Sequence, residues 1–324
     1  MNRRRFTGSM ATLLTVSVSR SASADKLRPL RIGYVVSGPE RSVFEDQFEQ
    51  GLRDSGYTLG QNISIDYRFQ ARPDVDVRAI MGEFVAAPVD AIVVSNRNAA
   101  HAAQAATKTI PIIFGATRDA IQDGLVLSLS RPEANVTGQS FHSGELSAKR
   151  VQLMREAFPA ASRFGVIYNV HYPSELQLAE AARARDLLGI ELIARGLRFP
   201  DEVDETFRAM KGEGVAAIFV VSDLTTITNR FAINEAAIRQ KMPLMLSNKR
   251  YLTGGGLMSY GPDISEGFRR AARQLARAAN GTPISELPVE QPTRFELFID
   301  SRAARAIGVE VAPAVLARAD EVIG

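Results

Sequence analysis

The sequence predicts an α/β protein built as two Rossmann-like lobes, each formed around a parallel sheet. Two observations carry this. Apolar strings of strand length alternate with stretches of helical spacing along most of the chain. Four of those strings also recur in order: RIGYVV (31–36) matches RFGVIYN (163–169), ISIDYRF (63–69) matches IELIARGL (190–197), DAIVVSN (90–96) matches AAIFVVSD (216–223), and IPIIFGAT (110–117) matches MPLMLSN (242–248). Matched starts lie 132, 127, 126 and 132 residues apart, a spacing even enough to indicate two lobes of similar build.

Element by element, 31–36 is an apolar run closed by the turn signal Ser37-Gly38-Pro39. Phe44, Phe48 and Leu52 then follow helical spacing, interrupted by Gly51 and ended near Gly56. In 63–69 apolar Ile63, Ile65, Tyr67 and Phe69 alternate with Ser64, Asp66 and Arg68, the pattern of an edge or half-covered strand. A helix over 74–86 leads to strand 90–96, and an Ala-rich helix over 99–107 leads to strand 110–117. In the second half, helices over 145–157, 174–188, 201–211 and 229–240 each precede a strand. Strands alternating with helices require right-handed crossovers and a parallel sheet covered on both faces. The tail departs from this grammar. After Gly254-Gly255-Gly256 come a short strand (257–261) and an amphipathic helix (263–279) with Ile264, Phe268, Ala271, Ala272 and Leu275 on one face. Pro283, Pro288 and Pro292 forbid a long helix over 281–293. A strand over 295–300 and short helices over 301–307 and 313–318 close the chain.

With 324 residues, 45% hydrophobic and 23% charged, the chain has room for two ordinary domains and no unusual composition. It has no run of 18 apolar residues, so no transmembrane span is expected. The first 24 residues read as an export signal: Arg3, Arg4 and Arg5 form a basic region, 10–18 is weakly apolar, and Ala22-Ser23-Ala24 is a small-x-small cleavage pattern, with removal after Ala24. Arg3-Arg4-Arg5-Phe6 also resembles a twin-arginine core, and Sec export remains the other route. A disordered basic tail is the competing reading. The signal holds four arginines and no acid. Taking four from the 39 basic residues leaves 35 against 36 acids, a net of −1 for the exported chain. No basic excess then remains to attract nucleic acid or anionic lipid. The chain has no cysteine, which excludes disulfides, thiolate nucleophiles and zinc–thiolate sites.

The C-terminal third carries a specific resemblance. GGLMSYGPD (255–263), RRAA (269–272), LPVEQPTRFEL (287–297), AIGVEVAP (306–313) and LARADEVI (316–323) closely resemble the extracytoplasmic solute-binding proteins of ABC transporters, in the group that includes the tryptophan-binding TrpX-like proteins. IPIIFGATRD (110–119) and GLVLSLSRPEANVTG (124–138) fit the same pattern, so the resemblance spans essentially the whole exported chain. It implies the type I periplasmic-binding-protein fold: two parallel α/β lobes joined by three crossing segments, with a solute held between them. It also implies a periplasmic location, an ABC permease as membrane partner and a monomer. Crossings are placed near 138–142, 259–262 and 290–295. The first lobe is then 28–140 plus 261–291, and the second 141–260 plus 292–324. Two departures bear on specificity: Asp119 is followed by Ala120 where Asp-Pro is common, and Tyr168-Asn169 is followed by Val170-His171-Tyr172-Pro173 where Asn-Pro is common.

In open parallel α/β sheets, ligands sit beyond the carboxyl ends of the strands. That rule selects loops 37–41, 95–98 and 116–119 in the first lobe and 168–172, 222–225 and 247–250 in the second. Candidate ligand-binding residues are Ser37, Ser95, Asn96, Ala116, Thr117, Asp119, Tyr168, Asn169, Ser222, Asp223, Asn248 and Tyr260. The hydroxyls and amides offer compact donors and acceptors. Asp119 or Asp223 suits an ammonium group, and Arg97, Arg118 or Arg250 a carboxylate. Phe44, Phe141, Tyr168, Tyr172 and Tyr260 are candidates to stack on a ring, whereas mid-strand Tyr34 reads as core. Ser and Asn in such loops also cap the following helix, and capping is the competing role for Asp223. These groups suit an amino acid, an aromatic acid or another small carboxylate. His101, His142 and His171 lack metal-ligand spacing, and GxSxG, Walker A and GxGxxG strings are missing, so no metal, cofactor or catalytic residue is expected. Delivery of the solute to a membrane receptor, and an exported α/β enzyme, are the competing functions. A DNA-binding regulator is disfavoured, since residues 1–27 are too short for a headpiece.

Overall fold

The apolar strings form strands wherever both faces of a sheet are covered. The computed structural model describes residues 29–70, 76–87, 89–132, 134–141, 146–171 and 173–324. The expected export signal, His142 and Tyr172 lie outside the described residues. The first sheet contains β1 (Leu30–Ser37), β2 (Ile63–Gln70), β3 (Ala91–Val94), β4 (Ile112–Thr117) and β5 (Val136–Ser140), in the order β2-β1-β3-β4-β5 and parallel throughout. The intervening helices are α1 (Val43–Asp54), α2 (Val77–Ala86) and α3 (Arg97–Ala106). β3 is buried on both faces, while β2 lies at the edge and is half-covered along most of its length.

Strand alternation divides the first core in two. Val35 joins Met81 and Phe84 of α2 and Ala99, Ala100 and Ala103 of α3 on one face. Ile32, Tyr34 and Val36 face the other side, against Phe48 and Leu52 of α1. That second face is completed from far along the chain by α9 (Ile264–Ala279), through Phe268, Ala271, Ala272 and Leu275. Gly51, which breaks the apolar spacing of α1, is required by this contact. A Cβ there would stand 2.3 Å from the carbonyl oxygen of Arg269 and 2.8 Å from the Ala272 methyl.

The second sheet repeats the first. Between α4 (Leu146–Ala157), α5 (Glu175–Leu188), α6 (Val203–Gly212), α7 (Leu224–Thr228) and α8 (Arg230–Gln240) run β6 (Arg163–Asn169), β7 (Glu191–Leu197), β8 (Ile218–Val220) and β9 (Leu244–Leu246). Their order, β7-β6-β8-β9, is that of β2-β1-β3-β4, so the sequence repeat is a repeat of topology. β10 (Met258–Gly261) continues the sheet. β11 (Glu296–Asp300) joins β10 antiparallel, and β12 (Glu321–Ile323) joins β11 parallel. α10 (Ser301–Ile307) and α11 (Pro313–Leu316) cover one face beside α4 and α5.

Three elements differ from the sequence expectation. β5 stands where a crossing segment was placed and no strand was expected, because VTGQS carries no apolar run. All five of its residues are nevertheless buried, with the Thr137 hydroxyl donating to the Leu287 carbonyl at 2.8 Å and the Gln139 amide to the Gln274 side chain at 3.0 Å. The terminal strand β12 was also not anticipated. Residues 224–228 form α7, a separate turn capped by Asp223 ahead of α8.

The chain leaves the first sheet after Ser140, enters the second through α4, returns from β10 to α9, and leaves again between Val289 and Glu296. Two of these crossings run side by side: the Ser140 amide donates to the Glu290 carbonyl and the Glu290 amide to the Gly138 carbonyl, both at 2.9 Å. The third is pinned by Asn248, whose Nδ2 donates to the Pro262 carbonyl at 2.9 Å, and by buried Arg150, whose Nε donates to the Tyr260 carbonyl at 2.8 Å. Burial pulls the Arg150 guanidinium down to about 9, so it stays cationic at neutral pH. Among the described residues the four apolar clusters fall two to a lobe, and no cluster contains residues from both.

Candidate functional site

Parallel strands end on one edge of each sheet, so the loops following β1, β3 and β4 gather together, as do those following β6, β8 and β9. In the first lobe, Ser37, Ser95 and Asn96 form one hydrogen-bonded group. The Ser37 amide donates to Ser95 Oγ at 2.6 Å, and Asn96 Nδ2 donates to Ser37 Oγ and, at 3.0 Å, to Gln70 Oε1. Asn96 Oδ1 accepts from the Ala99 amide at 2.8 Å, which starts α3. Ala116 packs at the margin of the first core, and Thr117 is buried with its hydroxyl donating to Asp123. Asp119 Oδ1 accepts from the Ile121 and Gln122 amides at 3.0 and 3.1 Å, holding the turn that follows β4.

In the second lobe, buried Asn169 donates to Thr225 Oγ1 at 2.9 Å and accepts from the His171 amide at 3.0 Å. Ser222 is gripped at both backbone atoms by the buried side chain of Gln177: its amide donates to Oε1 at 3.2 Å and its carbonyl accepts from Nε2 at 3.1 Å. Its hydroxyl accepts from Ser247 Oγ at 3.0 Å. Asp223 caps α7 through a reciprocal box, with Oδ1 accepting from the Thr226 amide at 2.8 Å while its own amide donates to Thr226 Oγ1 at 3.0 Å. Asn248 accepts from the Arg250 amide at 3.0 Å and so caps the 3-10 turn Lys249–Tyr251.

Two aromatic candidates from the second lobe pack against their own lobe. Tyr168 lies across Gly196 of β7 at the margin of the second core, and Tyr260 packs on Phe295 with ring centroids 6.3 Å apart. Among the other rings, Tyr34 is core, Phe141 is buried against Gly267, and Phe44 bridges the lobes. Phe44 stacks on Phe268 at 4.9 Å and receives the Arg250 guanidinium from the opposite lobe over its ring at 5.2 Å.

A small cavity opens between the lobes, lined by Arg118, Asp119, Gln122 and Asp123 on one side and Ser174, Leu176 and Gln177 on the other. Gln122, Ser174 and Gln177 were not singled out from sequence. Gln177 sits in the first turn of α5, where a polar residue reads as solvated, and only the fold reveals its burial. Beside it, behind Ser222, a second cavity is lined by Val220, Ile227, Ile233, Leu246 and Tyr251 among others. Arg118, on the loop after β4, lies near enough for its charge to act on Asp223 of the second lobe. Burial raises the Asp223 carboxyl above the usual carboxylate range, against the opposing pull of the Thr226 amide and of the Arg118 charge. Among the described residues no group of three or more His, Asp or Glu side chains is arranged to hold a metal ion. His101 is exposed, with Nε2 2.7 Å from the Asp123 carbonyl.

The family model for ABC transporter substrate binding proteins matches residues 30–323. The chain is 26% identical over 294 residues to a tyrosine-binding protein of Clostridioides difficile, covering 90% of this chain and 84% of that one. A conserved domain protein of Vibrio cholerae superposes with a TM-score of 0.81 at 27% identity, covering 91% of this chain and 100% of the other. An ABC domain from Streptococcus pneumonia in complex with L-Trp superposes with a TM-score of 0.79 at 24% identity, with the same coverage. The two-lobed fold with three crossings is that of the type I periplasmic binding proteins, and the chain belongs to the family of ABC transporter substrate-binding proteins.

Proposed function

We propose that the protein captures a small organic solute, an amino acid or an aromatic or other small carboxylate, between its lobes and delivers it unaltered to an ABC permease. What supports this most directly is the separation of the apolar cores. All four clusters stay within one lobe, and what meets between the lobes is polar loop and an open cavity. Such a molecule closes by rotating intact bodies about a few crossing residues. The bodies are 28–140 with 261–291 and 141–260 with 292–324. A solute that contacts both walls only in the closed form favours that form by the difference in affinity, and no covalent chemistry is needed. The relatives named for tyrosine and L-Trp support an amino acid. In this reading the chain is exported, loses residues 1–24 and works in the periplasm as a monomer.

The test uses exported protein unfolded and refolded to remove carried-over solute, then screened for thermal shift against amino acids, aromatic acids and sugars. A hit is expected to raise Tm and to shrink the radius of gyration in solution scattering. It is also expected to be recovered unchanged after prolonged incubation. Saturation without compaction would refute lobe closure, and turnover would refute capture without chemistry.

A further inference from the structure

The two lobes repeat one topology, so a matched position that behaves differently in the second marks a different task. α1 and α5 follow matched strands, β1 and β6. Both helices open on the same signature, Ser42-x-x-Glu45 and Ser174-x-x-Gln177, in which the fourth residue ordinarily turns back to the amide of the first. α1 obeys it. The Ser42 amide donates to Glu45 Oε2 at 2.7 Å, and Ser42 Oγ accepts from the Phe44 amide at 3.2 Å. α5 departs from it. The Ser174 side chain caps no amide of the helix, and Gln177 reaches the loop after β8 instead.

The matched loops differ by one residue. The last register pairs are Val35 with Val94 in the first sheet and Ile167 with Val220 in the second, and the helix caps that follow are Asn96 and Asp223. Ser95 alone lies between pair and cap in the first lobe, whereas Val221 and Ser222 both do in the second. The Ser95 and Val221 amides each continue the ladder, donating to the Val35 and Ile167 carbonyls at 3.2 and 2.9 Å. Ser222 is the residue added beyond it, and its backbone N–H and C=O must be met in another way. Gln177 meets both as a strand neighbour would, with Oε1 accepting from the amide at 3.2 Å and Nε2 donating to the carbonyl at 3.1 Å. The other Nε2 hydrogen goes to Ser174 Oγ at 3.1 Å. Gln177 lines the gap between the lobes, yet it is 1% exposed and keeps no N–H for a solute.

We propose that Gln177 is a positioning residue of the solute site: it fixes the backbone of Ser222, and with it the loop after β8, in the shape that receives solute. This rests on the solute-capture reading above. The same loop is held further on by the Asp223–Thr226 box and by Asn169 on Thr225 Oγ1. Ser222 also anchors the loop after β9, since its hydroxyl accepts from Ser247 Oγ at 3.0 Å, next to the Asn248 cap of 249–251. Releasing Gln177 therefore loosens two of the loops with which the second lobe meets the gap. A loop with several shapes binds through the fraction in the competent one, so the apparent Kd rises by the inverse of that fraction. The loss then falls on association. Removing a direct contact instead speeds dissociation.

The experiment is surface plasmon resonance on refolded exported protein, which gives both rates. The probe is L-tyrosine or, where it fails, the tightest binder of the panel screened above. Gln177→Leu keeps the bulk and removes all three hydrogen bonds. It should slow association about tenfold or more and leave dissociation within about twofold. Gln177→Glu should do the same near pH 8, because a carboxylate accepts from the Ser222 amide but cannot donate to its carbonyl. Protonation restores that donor, and burial raises such a carboxyl above its usual value of about 4.3. The association rate of Gln177→Glu, divided by that of the unaltered protein at each pH, should therefore climb toward one as pH falls from about 8 to about 5. Taking the ratio removes the titration of the charged groups around position 177: Arg118, Asp119 and Asp123 across the gap, and Glu175 and Asp223 on its own lobe. Phe207→Leu, in the core of the same lobe, should lower Tm and leave association unchanged. Without solute, hydrogen exchange in Gln177→Leu should quicken over 222–226 and 247–251 and stay unchanged in the first sheet. Faster dissociation at unchanged association would make Gln177 a solute contact and overturn the assignment. A flat pH ratio would overturn it too, as would slowing by Phe207→Leu in step with its loss of stability. If Gln177→Leu fails to fold, the pH ratio of Gln177→Glu decides alone. If the probe binds the Gln177 variants as it binds the unaltered protein, positioning falls and solute capture stands. If nothing on the panel binds, both fall.

Discussion

The Phe44–Arg250 contact links the lobes through the face of one ring, and removing it should shift the balance between open and closed forms. Arg250 is exposed and its guanidinium lies 5.2 Å from the ring centroid, a geometry worth about 0.5–1 kcal/mol at an exposed site. That energy exists only with the lobes together, so its loss should lower the closed-to-open ratio by roughly twofold to fivefold, since 1.4 kcal/mol is a factor of ten. Phe44→Ala would confound the measurement, because Phe44 also stacks on Phe268 within its own lobe at 4.9 Å. Phe44→Leu keeps most of the apolar volume and removes the ring face. Arg250→Met keeps the stem and removes the charge. The two single variants and the double variant form a cycle, read by distance distributions between labels on the two lobes in ligand-free protein. Each single variant should shift the population toward the open form, and the double should shift it no further than either single. Fully additive shifts, or a coupling below about 0.2 kcal/mol, would refute an interlobe cation–π contact and leave only loss of local packing.

Three further outcomes follow from the packing and the charges. Gly51→Ala forces a methyl against the Arg269 carbonyl at 2.3 Å, so chemical denaturation should show a loss of about 1–3 kcal/mol, with hydrogen exchange faster in α1 and α9 and unchanged in the second sheet. Asn248→Ala removes the cap of 249–251 and orphans the Pro262 carbonyl at a crossing. Its cost should be about 1–3 kcal/mol by urea denaturation, with added flexibility between the lobes by scattering. For Asp300, burial alone would raise the carboxyl, but the Arg302 guanidinium and the Arg302 and Ala303 amides outweigh it and hold the group below the usual range. Its stabilising contribution is therefore complete above the unfolded carboxylate value and is lost as pH falls through the lowered folded value. Asp300→Asn should flatten the acid limb of a stability-versus-pH curve below about pH 4 and leave its slope near pH 7 unchanged.

What the sequence displayed was the part of the fold built from apolar contrast. β1, β4 and β6 are runs of apolar residues bounded by turn signals, and their second appearance in the same order predicted the matching strand orders of the two sheets. β2 was recognised as an edge because Ile65, Tyr67 and Phe69 alternate with polar residues. β5 gave no such signal. Thr137, Gln139 and Ser140 are buried because groups remote in sequence meet them, the Leu287 carbonyl, Gln274 and the Ala120 amide among them, and partners 150, 135 and 20 residues away leave no local pattern. The same limit applies at the cleft. The edge of the sheet identified the loops, but whether a polar side chain faces the gap or closes a turn depends on which backbone amide lies beside it. Asn96, Asp119, Asp223 and Asn248 all hold local amides, and of these Asp119 also lines the gap, as does Gln177, which was unmarked in the sequence and holds the distant Ser222 amide. Arg118 and Asp119 are chain neighbours of opposite sign, and only the fold distinguishes the unmet guanidinium from the carboxylate that pins a turn.

The division of the apolar cores also constrains how much energy closure can involve. Opening exposes none of the four clusters, so the hydrophobic term that holds each lobe together is nearly the same in both forms. The difference between open and closed is left to a few interactions across the gap: Arg250 on Phe44, the Arg118 charge acting on Asp223, and the walls around Gln177. Contacts of this kind contribute about 1 kcal/mol or less each when exposed, and a buried unmet charge opposes closure. Without solute the two forms therefore differ by only a few kcal/mol, within reach of a single bound molecule. A core continuous across both lobes would have fixed the molecule shut. The polar interior of the cleft lowers the stability of the closed form and makes closure depend on what lies inside it.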